Sequence, residues 1–313
     1  MLYSYAGPRG KKQMVRKIKY FFYAINYLIK AKVFHKEIPF ISGLVINEKC
    51  NLRCKQCHYA NRNIPDLSYE DVRLGLQTFY DKGIRSVFIE GGEPFLWRDG
   101  NYRLEDVVKL ARKIGFHLVS VYTNGTLPIE VSTDSISVSL DGLRETNNKL
   151  RGNSFDRVVK NIKESKHPKI MINFTVNSVN QSEIEEFCDE MKKIKQARGI
   201  FFYFHTPYYG YDELFLNLEE KRTIIKRILA LKRRGYKIFN SSACLKGVYE
   251  DNWGRPSKLC YVYAANKLYQ CCRAIGNSDA CRNCGYLGYP EIIYTLKLRP
   301  TAIISALNYL PRK

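Results

Sequence analysis

Between residues 41 and 234, short apolar, β-prone runs alternate with amphipathic stretches, and this alternation restricts the chain to few folds. The runs fall at 41–46, 86–89, 117–122, 135–140, 169–176 and 199–205. Helical spacing fills 68–82, 104–114, 155–164, 182–195 and 218–234, and Ser68, followed by Glu70 and Asp71, offers the first of these a cap. Six strands joined by helical crossovers predict a parallel α/β architecture. Right-handed crossovers permit an open doubly wound sheet or a barrel, and periodicity does not choose between them. Either fold places its chemistry at the C-terminal strand ends. With 313 residues, 45% hydrophobic and 26% charged, the chain is long enough for one large domain and an appendage.

The loop after the first run holds Cys50, Cys54 and Cys57, at offsets of four and three. Three thiolates in a polar loop form a soft-ligand site suited to an iron–sulfur cluster or zinc, with one position open for chemistry. The chain has ten cysteines; Cys188 stands alone on a predicted helix, and Cys244, Cys260, Cys271, Cys272, Cys281 and Cys284 form a second group. The basic start lacks an apolar core followed by small residues at a cleavage site, so a cytoplasmic chain using its thiols for metal is expected.

The ends of successive strands carry further polar signals: Glu90-Gly91-Gly92-Glu93-Pro94, Thr123-Asn124-Gly125-Thr126, Ser139-Leu140-Asp141-Gly142, and then Arg151-Gly152. Two glycines let the backbone approach a ligand, and Glu93 can accept hydrogen bonds from an ammonium group. The order of these motifs behind CxxxCxxC resembles the radical S-adenosylmethionine (radical SAM) superfamily over roughly residues 40–205. The resemblance implies a partial (β/α)6 TIM-type barrel and a [4Fe–4S] cluster on Cys50, Cys54 and Cys57, with SAM on its open iron. It implies that Gly91, Gly92 and Glu93 receive the methionine amino group, with Thr123, Ser139 and Arg151 near the carboxylate and ribose. Gln56 departs from the pattern, which usually has an aromatic residue there; His58 or Tyr59 is expected to help cover the adenine edge.

In the second cysteine group, Cys281 and Cys284 form a CxxC pair, which Cys260 with Cys271 or Cys272 could complete. The adjacent Cys271 and Cys272 are expected to diverge, as neighbours do on extended backbone. Their spacing resembles the auxiliary-cluster extensions of radical SAM enzymes, with Cys260, Cys272, Cys281 and Cys284 as the expected ligands of a second iron–sulfur cluster; zinc stays open. Four stretches, among them Phe204-His205-Thr206-Pro207-Tyr208 and Trp253-Gly254-Arg255-Pro256, resemble the C-terminal region of hopanoid-biosynthesis radical SAM enzymes and point to a greasy substrate. On that resemblance His205, Tyr208, Tyr209 and Tyr211 lie at the barrel mouth.

The formal charge is +21, and residues 1–36 hold nine Lys or Arg and no Asp or Glu, which suits an anionic surface. A helix is expected at 17–35 with Ile18, Phe21, Phe22, Ile25, Leu28, Ile29 and Val33 on one apolar face, too short to span a bilayer. It fits equally an in-plane membrane helix or a helix packed on the main domain.

The expected organisation is a basic amphipathic helix over 1–38, the barrel over 39–236, a cysteine-rich extension over 237–290 and a C-terminal amphipathic helix over 291–313. The expected function is a radical SAM enzyme attacking an unactivated carbon of a lipid or other hydrophobic substrate. It would sit in the cytoplasm, peripheral at the inner face of the membrane, with ferredoxin or flavodoxin as electron donor. A peptide- or protein-modifying maturase is the runner-up. A zinc-bearing nucleic-acid-binding protein is the reading of a different class, and it predicts affinity falling steeply with salt.

Overall fold

The computed structural model describes residues 8–36 and 38–309. Strands β1 (Ile41–Val45), β2 (Ser86–Glu90), β3 (Leu118–Thr123), β4 (Ser135–Ser139), β5 (Ile170–Val176) and β6 (Ala197–Phe204) occupy the six expected positions and pair in parallel. Helices α1 (Pro8–Lys32), α2 (Tyr69–Asp81), α3 (Leu104–Ile114), α4 (Arg144–Arg151), α5 (Phe155–Glu164), α6 (Ile184–Lys192) and α7 (Leu218–Arg233) precede or connect them. Ser68 and Asp71 close a capping box at the start of α2, each accepting the other's backbone N–H.

The six strands lie in the order β6-β5-β4-β3-β2-β1, an open sheet curved into a partial barrel and extended beyond β1 by two further strands. Both faces of β1, β2, β4, β5 and β6 are largely buried, while β3 alternates between buried and half-buried residues. Leu44, Ile46, Val87, Ile89, Val119 and Val121 meet α2 and α3 on the outside. Val45, Phe88, Val138, Ile172, Phe202 and Phe204 belong to a second, larger cluster.

The strands β7 (Cys260–Ala264) and β8 (Lys267–Gln270) were not expected. β7 pairs in parallel with β1, and β8 folds back antiparallel on it. Five residues with Tyr, Val and Tyr inside a Cys- and Gly-rich stretch are too short for periodicity to reveal. The chain thus continues the barrel's own sheet beyond residue 237. Helices α8 (Ser242–Tyr249), α9 (Ser278–Arg282), α10 (Gly288–Leu296) and α11 (Pro300–Tyr309) follow, and α8 and α10 share the larger cluster with β5 and β6. The C-terminal helix expected over 291–313 is therefore two helices. Leu298 takes φ 55 and Pro300 opens α11, so the first helix cannot continue through this turn. Gly285 closes the open side of the barrel: Phe204 N–H donates to its carbonyl at 3.0 Å, and a Cβ on it would meet the Phe204 carbonyl oxygen at 1.9 Å.

α1 begins earlier than expected and packs by a different face. Tyr20, Tyr23, Ala24, Tyr27 and Leu28 turn toward the domain, and Tyr27 is buried. Tyr27 Oη donates to the Ile38 carbonyl at 2.7 Å, and the Tyr23 ring lies against Phe40 and His117. Ile18, Phe21, Phe22, Ile25, Ile29 and Val33 are exposed. A tyrosine face can bury its ring and still satisfy its hydroxyl on a carbonyl.

Glu291 of α10 is half-buried against α8, where its carboxylate accepts the Ser241 N–H at 2.6 Å. Burial pushes its pKa up to about 7 from an ordinary 4.5. A carboxyl raised by folding contributes stability that is complete below its unfolded pKa and lost as pH rises through the folded one. Denaturant midpoints of the apoprotein are expected to fall from about pH 5 to about pH 8 by the equivalent of ~3 kcal/mol. Glu291→Gln is expected to flatten that fall.

Candidate active site

The loop after β1 is held by its own side chains. Asn61 takes φ 59, accepts the Cys50 N–H on Oδ1 at 2.9 Å and donates from Nδ2 to the Leu52 carbonyl at 2.9 Å. Lys55 N–H donates to the Leu150 carbonyl at 2.9 Å, tying the loop to α4. Cys50, Cys54 and Cys57 line one cavity of ≈ 560 Å³ at the C-terminal ends of the strands. Donors face two of the thiols: Leu52 N–H at 3.4 Å and Asn124 Nδ2 at 3.5 Å from Cys50 Sγ, and an Arg151 guanidinium nitrogen at 3.9 Å from Cys54 Sγ. Burial pushes the Cys54 thiol up to about 11, while Arg151 pulls it down.

Gly91, Gly92, Thr123, Ser139 and Arg151 all line the same cavity. A Cβ at Gly91 would stand 2.5 Å from the Asn47 carbonyl oxygen, and one at Gly92 would stand 2.4 Å from those of Glu48 and Lys49. Only glycine lets this turn close on the cysteine loop.

Glu93 departs from expectation. Its side chain is wholly buried, with Oε1 accepting Thr123 Oγ1 at 2.8 Å and Phe95 N–H at 3.1 Å, and Oε2 accepting Asn124 N–H at 2.7 Å. Its carboxylate joins the loops after β2 and β3 and does not line the cavity, so Glu93 positions the site's loops. Burial raises its pKa and these three donors oppose the shift.

Gln56 Nε2 donates to Asp141 Oδ2 at 2.5 Å, and Arg151 Nε donates to the same oxygen at 2.6 Å. Asp141, wholly buried, also accepts Thr175 N–H at 2.7 Å. His58 and Tyr59, expected over an adenine edge, turn elsewhere. His58 meets Tyr209 at a ring distance of 5.2 Å, and Tyr59 lies under Arg273 at 4.0 Å and faces a second cavity. His205 and Tyr208 are in the cavity wall, while Tyr209 and Tyr211 are exposed on the adjoining loop.

Asn173, which no motif singles out, also lines the cavity, as does Glu90 at the head of the 90–94 motif. Two buried acceptors on this wall, Gln56 Oε1 and Asn173 Oδ1, lack any hydrogen-bond partner. Buried unpaired acceptors are uncommon and suit a ligand bearing N–H or O–H donors. The donor set therefore fits an iron–sulfur cluster with SAM beside it: three thiols, N–H groups aimed at sulfur, a glycine cradle and orphan acceptors.

A second cavity of ≈ 190 Å³ adjoins the first, and Glu90, Thr206, Tyr208 and Tyr286 belong to both walls. Cys271, Cys272, Cys281 and Cys284 line it, and Cys260 does not. Cys260 belongs to the barrel core with Val262 and Ala264, the residues at alternate positions on its own strand. Cys271 and Cys272 do not diverge, because Cys271 has φ 83 and the extended alternation breaks there. The neighbouring Cys272 thiol pulls the Cys271 pKa down. Among the described residues no three His, Cys, Asp or Glu side chains converge as one metal ion requires. The thiols ring cavities instead.

Fold and site define a partial (β/α) barrel with a thiol-lined cavity at its C-terminal rim. The radical SAM superfamily profile matches residues 44–176. The chain is 31% identical over 208 residues to Fe-coproporphyrin III synthase of Methanosarcina barkeri, covering 60% of this chain and 50% of that protein. It is 33% identical over 160 residues to "Probable GTP 3',8-cyclase" of Saccharolobus islandicus, covering 47% and 51%. The chain thus spans about half the length of the curated relatives it matches. In fold it is similar to SuiB of Streptococcus suis bound to S-adenosylmethionine, with TM-score 0.62, 19% identity and coverage of 83% and 67%. It is also similar to anSMEcpe with bound AdoMet, with TM-score 0.59, 18% identity and 80% of each chain. Residues 44–176 thus carry a radical SAM domain. A domain of this kind favours an enzyme over the zinc-bearing nucleic-acid-binding reading.

Proposed function

We propose that this protein binds a [4Fe–4S] cluster on Cys50, Cys54 and Cys57, cleaves SAM beside it and modifies an unactivated carbon of a hydrophobic substrate. One observation carries the reading: the three thiols, the Gly91–Gly92 turn and Arg151 share a single cavity. The cluster, when bound, supplies the electron that breaks a carbon–sulfur bond of SAM and yields a 5′-deoxyadenosyl radical. The chain's residues bind and orient. The Gly91–Gly92 backbone closes on the methionyl end, Arg151 brings positive charge to the carboxylate, and Ser139, Gln56 and Asn173 offer hydrogen bonds to the ribose and base. Tyr122, Tyr203, Phe204, Tyr208 and Tyr286 present an aromatic wall that excludes water and takes apolar substrate.

The four thiols of the second cavity favour an auxiliary iron–sulfur cluster on Cys271, Cys272, Cys281 and Cys284. Its shared wall with the first cavity is the observation that also supports a peptide- or protein-modifying maturase. The proposed location is the cytoplasmic face of a membrane, with ferredoxin or flavodoxin as electron donor; the basic surface suits an acidic one.

Anaerobic reconstitution of Cys281→Ser/Cys284→Ser is expected to lower bound iron and sulfide by about half relative to wild type, with substrate-free 5′-deoxyadenosine formation retained. Equal iron in both proteins would remove the auxiliary cluster from the proposal.

A further inference from the structure

We propose that the outward face of α1 docks this protein on an anionic bilayer with the active-site mouth turned away from it, so that substrate arrives from the aqueous side. The inference rests on the membrane location proposed above and names its surface and its consequence for substrate.

The helix spends its tyrosines on the domain and leaves its greasiest residues outside. Ile18, Phe22, Ile25, Ile29 and Val33, with Phe21 beside them, form one stripe at three- and four-residue spacing, and each is between 38% and 65% exposed. A contiguous exposed stripe of this kind marks an interaction surface. Exposed Lys19, Lys30, Lys32 and Lys36 surround it, and no acidic residue occurs in the first 36 positions. No described helix is long and apolar enough to cross a membrane, which leaves the in-plane arrangement. A second copy of this chain would bring the same basic stripe against itself, and like charges across an interface oppose association. An anionic lipid surface complements the lysines and takes the apolar stripe together.

Placement decides the rest. Tyr23 and Tyr27 pack on Phe40, just before β1, and Tyr23 also meets His117, just before β3. The charge of Arg85, just before β2, also acts on Tyr23. These are the N-terminal ends of the strands. Cys50, Gly91, Ser139 and Arg151 line the cavity at the C-terminal ends. A barrel seated through α1 therefore holds its cavity on the far rim. The bilayer is then an anchor, and a hydrophobic substrate reaches the cavity as a water-borne or protein-carried molecule.

The test compares the full-length protein with a Phe22→Ser/Ile25→Ser/Ile29→Ser variant, which leaves the tyrosine face intact. Vesicles of phosphatidylcholine, alone or mixed equally with phosphatidylglycerol, are the probes. Wild type is expected to co-sediment with the mixed vesicles only, and the variant to bind them at least about ten-fold more weakly with an unchanged melting temperature. Hydrogen exchange on vesicles is expected to slow in α1 and stay unchanged over residues 205–213. Equal binding by both proteins, protection of residues 205–213, or a wild-type dimer that the variant dissolves would each overturn the proposal. 5′-Deoxyadenosine formation without vesicles reads the chemical proposal separately, so its failure is not confused with loss of the anchor.

Discussion

Cys54→Ala is expected to drop 5′-deoxyadenosine formation from SAM to the no-enzyme level while the protein stays folded. The loop around it is fixed by backbone and by Asn61, through Lys55 N–H on the Leu150 carbonyl, Cys57 N–H on the Cys54 carbonyl and the two Asn61 bonds. None of these uses the Cys54 thiol. What is lost is one of three ligands of the proposed cluster, and with it the electron that breaks the carbon–sulfur bond. Bound iron is expected to fall by about half, the remainder staying with the second cavity. Mass-spectrometric assay of 5′-deoxyadenosine and iron analysis check both, and undiminished product would sink the assignment of this loop.

Arg151→Gln is expected to cost the apoprotein roughly 3–5 kcal/mol, the range for breaking one side of a buried ion pair. Asp141 is wholly buried and shares one carboxylate oxygen between Arg151 and Gln56. Burial works against the Arg151 charge, yet Asp141 and Cys54 beside it outweigh this and hold it more firmly protonated than an ordinary arginine. Removing the guanidinium leaves Asp141 charged, buried and short of its main partner. Arg151→Lys keeps the charge and loses the planar fork, so a smaller loss in denaturant midpoint is expected, together with a raised KM for SAM in both variants. A midpoint equal to wild type in Arg151→Gln would show that the pair carries no stability.

The positions of six strands, the cap at Ser68 and the strand-end motifs were readable because each depends on residues close in the chain. Crossover connections then bring successive strand ends to one rim whatever the detailed packing, so the cavity gathers Cys50, Gly91, Ser139 and Arg151 as their order implies. Glu93 reads in sequence as a residue facing a ligand, whereas in the fold its carboxylate bridges two loops, because Thr123 and Asn124 of another loop donate to it. Asn173 carries no such signal, because inward direction in a strand buried on both faces leaves no alternation to read.

The sequence by itself determined the strand–helix alternation and the cluster loop, since side-chain period and cysteine spacing are local properties of the chain. Only tertiary structure decided which face of α1 packs, where Glu93 points and which cysteines ring the second cavity. Tyr27 finds the Ile38 carbonyl, Glu93 finds three donors, and Cys271 turns with a positive φ toward the thiols of a distant CxxC pair. Each outcome balances burial against hydrogen-bond partners that exist only once the chain is folded.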